Sequence, residues 1–146
     1  FRAELFDYCY SYSVLQHFRK LDVKKVLPEV KNVLKPGGIS QIQMLNKFGL
    51  RSLYIQLKRK FQKSHEFETN YWSPKELFDI FEQNIGFSKI LLASFFTQGQ
   101  NTDRDLFKPR DRIIFEFSQL LIKINQTIPL LTKFADNLFL ISQKDT

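Results

Sequence analysis

Phe6-Asp7-Tyr8-Cys9-Tyr10-Ser11-Tyr12-Ser13-Val14-Leu15-Gln16-His17-Phe18, answered by Leu34-Lys35-Pro36-Gly37-Gly38, is the stretch that decides the fold. Leu5 to Ser11 is aromatic and apolar apart from Asp7, the pattern of a strand buried on both faces. A polar turn follows, with one short helical turn over Val14–Phe18. Val23, Val26, Leu27, Val30, Val33 and Leu34 recur at helical spacing, which predicts a helix begun by Asp22 as its cap. Pro28 falls inside that pattern and predicts a kink or break. Lys35 suits the negative end of the helix dipole, Pro36 stops the helix, and Gly37-Gly38 supply backbone angles other residues resist. Ile39 to Leu45 then reads as a second strand. Strand, helix and strand in that order make a crossover unit of a parallel sheet. Ligands of such sheets sit beyond the carboxyl ends of the strands. Ser11 to His17 fall there, and so does Asn46; Asp7 lies at the opposite end and reads as a structural residue.

Outward from this unit, Leu50, Leu53, Tyr54, Leu57 and Phe61 fall at helical spacing, with basic residues filling much of the remainder. They read as a basic amphipathic helix, either a surface helix with a solvated charged face or a contact for an anionic surface. Ser73-Pro74-Lys75-Glu76 reads as a capping box opening a helix with Leu77, Phe78, Phe81 and Ile85 buried and Gly86 at its end. Phe87–Phe96 reads as a strand and Thr97–Lys108 as a polar loop. Pro109–Asn125 reads as a helix aligning Ile113, Phe117, Leu120, Leu121 and Ile124. A short helix over Thr127–Phe134 and a last strand over Asn137–Ser142 complete the chain.

The chain has 146 residues, enough for one domain and one core, and a net charge of +7. Lys47–Lys63 holds six basic residues and no acid, so the rest is near neutral. Cys9 is the only cysteine, which leaves no internal disulfide or cysteine-rich metal site. His17 and His65 are the only histidines and have no partner pattern, so no metal site is expected. No apolar run reaches the ~18 residues of a membrane span, and no secretion signal is visible. A cytoplasmic setting is the expectation. Phe1, close to a strand, suggests a piece whose preceding part is missing.

Phe6-Asp7 through Val14-Leu15-Gln16-His17-Phe18, followed by Val33-Leu34-Lys35-Pro36-Gly37-Gly38, resembles the second half of class I S-adenosylmethionine-dependent methyltransferases. Tyr71-Trp72-Ser73-Pro74-Lys75-Glu76-Leu77, Ile85-Gly86-Phe87 and Ala135-Asp136-Asn137-Leu138-Phe139 are similar to later parts of the same family. The resemblance implies an α/β fold, a partial Rossmann-like sheet whose strands are the family's 4, 5, 7 and 6 in spatial order, the last strand in sequence antiparallel. It implies one domain part over residues 1–146, with a basic helical insertion at about 47–63 and a helical insertion at about 109–134. The family's glycine-rich turn after strand 1, and the acid after strand 2, have no counterpart here. The missing N-terminal half is therefore an expected partner, and the chain alone is expected to bind cofactor poorly or not at all.

The resemblance places Ser11, Tyr12 and Gln16 against S-adenosylmethionine, Ser11 through its backbone and Tyr12 through a covering side chain. Imidazole titrates near neutral pH, which qualifies His17 as a candidate catalytic base; the competing reading is a structural histidine. Asn46, Phe48, Tyr71 and Trp72 are the substrate-side candidates, with core packing competing for Phe48 and Trp72. The expected acceptor is a small molecule. Rival readings are a non-catalytic module derived from the fold, and contact of Lys47–Lys63 with a peripheral membrane or other anionic surface. Nucleic-acid binding is disfavoured because the basic residues sit on one element without a recognised motif.

Overall fold

The computed structural model describes residues 2–62, 69–96 and 108–146. Lys63, His65 and the expected loop from Thr97, apart from Lys108, lie outside the described residues. The elements are β1 (Phe6–Ser11), α1 (Lys20–Val33), β2 (Leu34–Leu45), α2 (Leu50–Lys58), α3 (Pro74–Asn84), β3 (Ser88–Ser94), α4 (Pro109–Thr127) and β4 (Asn137–Gln143). A 3-10 turn at Leu15–His17 links β1 to α1, and another at Pro129–Phe134 precedes β4. The four strands form one sheet in the order β1-β2-β4-β3. β1 runs parallel to β2, while β4 is antiparallel to both β2 and β3. This is the expected order, with the last strand in sequence inserted and reversed.

Alternation along the strands puts Ile42, Met44, Leu138 and Leu140 on one face, all fully buried. Val23 and Leu27 of α1 and Leu77 and Phe81 of α3 close over them in one cluster. Each such side chain contributes about 1.5–3 kcal/mol on leaving water. The opposite face is covered at Gln43, Leu45 and Asn137 but open elsewhere, with Tyr8, Tyr10, Ile39 and Leu91 exposed on it. The expectation that β1 is buried on both faces is thereby corrected. Among the described residues β1 has a strand neighbour on one side only, so its aromatic side chains remain in solvent.

Three local expectations also change. α1 runs unbroken through Pro28. The proline is on the exposed side, where water can satisfy the carbonyl it leaves without a partner. Asp22 is not the cap; Arg19 is, and its guanidinium pairs with Asp22 at 2.7 Å. The segment Lys35–Gly38 is not a turn before the strand but an irregularity within β2, which begins at Leu34. Register shifts between Phe6↔Leu34 and Tyr8↔Ile39. Gly37 takes a φ of +74°, and a Cβ on Gly38 would stand 2.8 Å from the Lys35 carbonyl oxygen.

α3 starts as its sequence dictates. Glu76 N–H donates to the Ser73 hydroxyl, and Ser73 N–H donates to the Glu76 carboxylate. Lys20 adds a contact to that carboxylate at 2.9 Å. Burial pushes the Glu76 carboxyl up, but the hydrogen bonds from Ser73 and Lys20 outweigh it and hold the group at about 2.

Candidate functional site

The candidate site is the rim at the carboxyl ends of β1 and β2. Ser11, the last residue of β1, pairs with Ile42, so β2 extends beyond it through Leu45. Past that point Trp72 lies beside β2 in a parallel bridge to Asn46, its N–H donating to the Leu45 carbonyl. The turn after Ser11 is fixed from below. Ser13 adopts a left-handed φ of +59°, and its N–H donates to the side-chain oxygen of Gln43 at 2.7 Å.

Gln43 is buried, and its amide nitrogen donates to Asn137 and, at 3.4 Å, to Gln16. Asn137 donates in turn to the Ser94 hydroxyl at 2.7 Å. Gln16 donates to the Ser13 hydroxyl at 2.9 Å and lies 3.3 Å from His17 Nε2. One chain of side-chain amides and hydroxyls thus runs from His17, in the turn after β1, across β2, β4 and β3.

A second set of ties anchors the far side of the rim. Asp136 is fully buried, and its carboxylate accepts from Ser52 N–H and Phe96 N–H, each at 2.7 Å. It thereby caps the start of α2 and holds the end of β3. Gly49 permits the approach: a Cβ there would stand 2.5 Å from the Asp136 Cα.

The expected site residues fall into two groups. Ser11, Tyr12, Gln16 and His17 come together on one turn, with Tyr12 half-buried and its ring 6.3 Å from that of Phe139. Asn70 N–H donates to the Gln16 carbonyl at 2.7 Å and brings the Thr69–Trp72 segment to the same rim. Tyr71 lines a cleft of about 540 Å³ with Arg19, Lys20, Arg59, Phe61 and Gln62. Asn46 and Trp72 are buried. Asn46 donates to the Lys133 and Ala135 carbonyls at 2.8 Å each and accepts from Phe48 N–H. The Trp72 ring lies under the Lys20 ammonium at 4.6 Å. Phe48 is exposed, 5.0 Å from the Lys47 ammonium. Sequence reasoning missed Gln43, Asp136 and Asn137. The available signal was a polar residue at, or next to, a position that the strand pattern sends inward.

Residues 1–42 match the sequence model of the methyltransferase domain family. No curated protein matches the chain in sequence. Solved structures match it along its length. An S-adenosylmethionine-dependent methyltransferase from Thermotoga maritima, described as a possible histamine N-methyltransferase, aligns with a TM-score of 0.60 at 14% identity. That alignment covers 99% of this chain and 58% of the other. A methyltransferase of the same dependence from Archaeoglobus fulgidus aligns at 0.54 and 16% identity, covering 97% and 61%. Phosphoethanolamine N-methyltransferase 2 from Haemonchus contortus, crystallised with S-adenosyl-L-methionine, aligns at 0.55 and 18% identity, covering 100% and 35%.

The fold is therefore that of the class I S-adenosylmethionine-dependent methyltransferases, and the first crossover carries their sequence pattern. The chain spans 61% or less of the length of each of these structures.

Proposed function

We propose that this chain supplies the acceptor side of an S-adenosylmethionine-dependent methyltransferase domain that acts on a small molecule. The observation carrying this reading is the Ser11–His17 turn, pinned by Gln43 at the carboxyl rim of a parallel strand pair in a methyltransferase fold. The open edge of β1 and the partly open sheet face favour a domain completed by further strands over a self-contained binding module. The glycine-rich turn and the ribose-binding acid of the family would come with those strands.

The turn fits the cofactor by its chemistry: it offers backbone groups at Ser11 and a half-buried aromatic ring at Tyr12, held in place by buried amides. S-adenosylmethionine bound there would supply an electrophilic methyl group on sulfur, open to direct displacement by the acceptor's lone pair. The chain's own task is alignment and the exclusion of water. Tyr12 would cover the cofactor, and Gln16 holds the turn while contacting both Ser13 and His17. His17 is the candidate base for acceptors that begin protonated. Tyr71 and Phe48 flank the acceptor, with Asn46 and Trp72 fixing the segments that carry them.

Titration of the 146-residue chain with S-adenosylhomocysteine, followed by amide NMR shifts, tests this reading. Perturbations confined to Ser11–His17 and their Gln43 and Asn70 neighbours are expected, with affinity in the roughly millimolar range. Shifts centred on α3 rather than on this turn, or micromolar affinity of the isolated chain, overturn it.

A further inference from the structure

α2 and α4 break the rule that an amphipathic helix turns its apolar stripe inward. Leu50, Tyr54 and Leu57 follow one another at i, i+4 and i+7 in α2, and Ile113, Phe117, Leu120 and Ile124 at i, i+4, i+7 and i+11 in α4. All seven are exposed, Tyr54 at 64%, Leu57 at 61% and Ile113 at 71%. The buried residues lie on the opposite side of each helix: Ser52 in α2, Phe115 and Ser118 in α4. The two helices border one groove of about 520 Å³, lined by Leu50, Arg51 and Tyr54 of α2, Arg110, Asp111 and Ile114 of α4, and Phe96 between them in sequence. Phe96 stacks on Phe117 at 5.9 Å and accepts from Arg51 through its carbonyl.

We propose that this two-helix face docks on an anionic lipid bilayer. Charge selects the occupant. Residues 47–62 carry five basic side chains and no acid. On a helical projection Arg51 and Lys58 fall on one flank of the apolar stripe, and Arg59 and Lys60 follow just past the end of α2. Leucine and aromatic side chains along the middle with lysine and arginine at the margins is the arrangement of a helix lying in a lipid interface, the long cationic stems reaching back to headgroups. A second copy of the chain would bring two such basic segments together. Nucleic acid would leave the apolar centre of the face uncovered. The face stands whether or not the rim binds cofactor.

The test is flotation of the full 146-residue chain with vesicles of phosphatidylcholine alone or with added phosphatidylserine. The chain is expected to float with the phosphatidylserine vesicles and to be released by salt. Lys58→Glu with Lys60→Glu is expected to weaken binding by about thirtyfold or more. Leu57→Trp and Ile113→Trp, read separately, are expected to shift emission to the blue on these vesicles, which requires insertion of both helices. Equal binding to both vesicle types overturns the proposal. So does an unshifted Ile113→Trp, or concentration-dependent dimerisation without flotation. Salt-sensitive binding to RNA in place of vesicles overturns it as well. Cofactor-induced shifts at Ser11–His17 without flotation would overturn the lipid docking and leave the methyltransferase reading in place, and shifts centred on α3 with flotation would do the reverse.

Discussion

Gln43, Asn46, Asp136 and Asn137 are buried at the carboxyl rim, whereas Tyr54, Leu57, Ile113 and Phe117 stand in solvent on α2 and α4. The two regions exchange the usual places of polar and apolar groups. At the rim each of the four buried side chains has hydrogen-bond partners, so their desolvation is compensated and the turn they support is rigid. On the helices those apolar side chains stay half or more exposed, Phe117 gaining a stack on Phe96. Burial alone does not separate structure from function here; satisfaction does. A buried polar group with all its partners made is a fixture, and an apolar stripe with few is a surface awaiting cover.

The sharpest way to break this comparison is at Asp136. Asp136→Ala leaves the buried Ser52 N–H and the part-buried Phe96 N–H without acceptors, at a cost of roughly 1–3 kcal/mol for the first and less for the second. A loss of about 3 kcal/mol in urea unfolding is expected. A loss under about 0.5 kcal/mol, as at an ordinary surface position, would mean that the rim is not held as described.

Gln43→Leu comes next. It removes the acceptor for Ser13 N–H and the donor to Asn137 and Gln16, while keeping an apolar side chain of similar size. About 2 kcal/mol is expected to be lost, because three partners are left incompletely paired. The same variant sharpens the functional half of the comparison. With Ser13 no longer held at positive φ, the S-adenosylhomocysteine shifts at Ser11–His17 are expected to vanish while α3 resonances stay in place.

Much of the fold was legible before any coordinates. The β1–α1–β2 crossover follows from an aromatic strand, a helical period and the Leu34–Gly38 run, and the α3 start follows from Ser73 and Glu76 alone. These are local signals, written within a few residues of where they act. What was illegible is relational. Periodicity aligned Ile113, Phe117, Leu120 and Ile124 on one face of α4, but it cannot say whether that face meets a core. Likewise β1 has the composition of a buried strand, and only the sheet order reveals its open side. Gln43 reads as one polar residue among several in β2. Its partners, Ser13 and Asn137, are 30 and 94 residues away in sequence.

Exposed ties offer the mildest contrast with the rim. Glu76 receives hydrogen bonds from Ser73 and Lys20, yet 47% of its side chain remains accessible, so water screens much of the gain. Its folded value of about 2 lies below the usual 4.5. Between those values the unfolded chain binds more protons at this group than the folded one does, so stability rises with pH across the window. The contribution is complete above about pH 4.5 and is lost as pH falls toward about 2. Screening limits it to less than about 1 kcal/mol. Urea midpoints for the wild type and Glu76→Gln, compared across that window, isolate this group from the other carboxylates. The wild-type advantage should shrink steadily as acid is added. An advantage that persists unchanged down to about pH 2 would mean that Glu76 supports α3 by packing or as a neutral hydrogen-bonding group, and the contrast between ionic surface ties and the neutral amides of the rim would have to be redrawn.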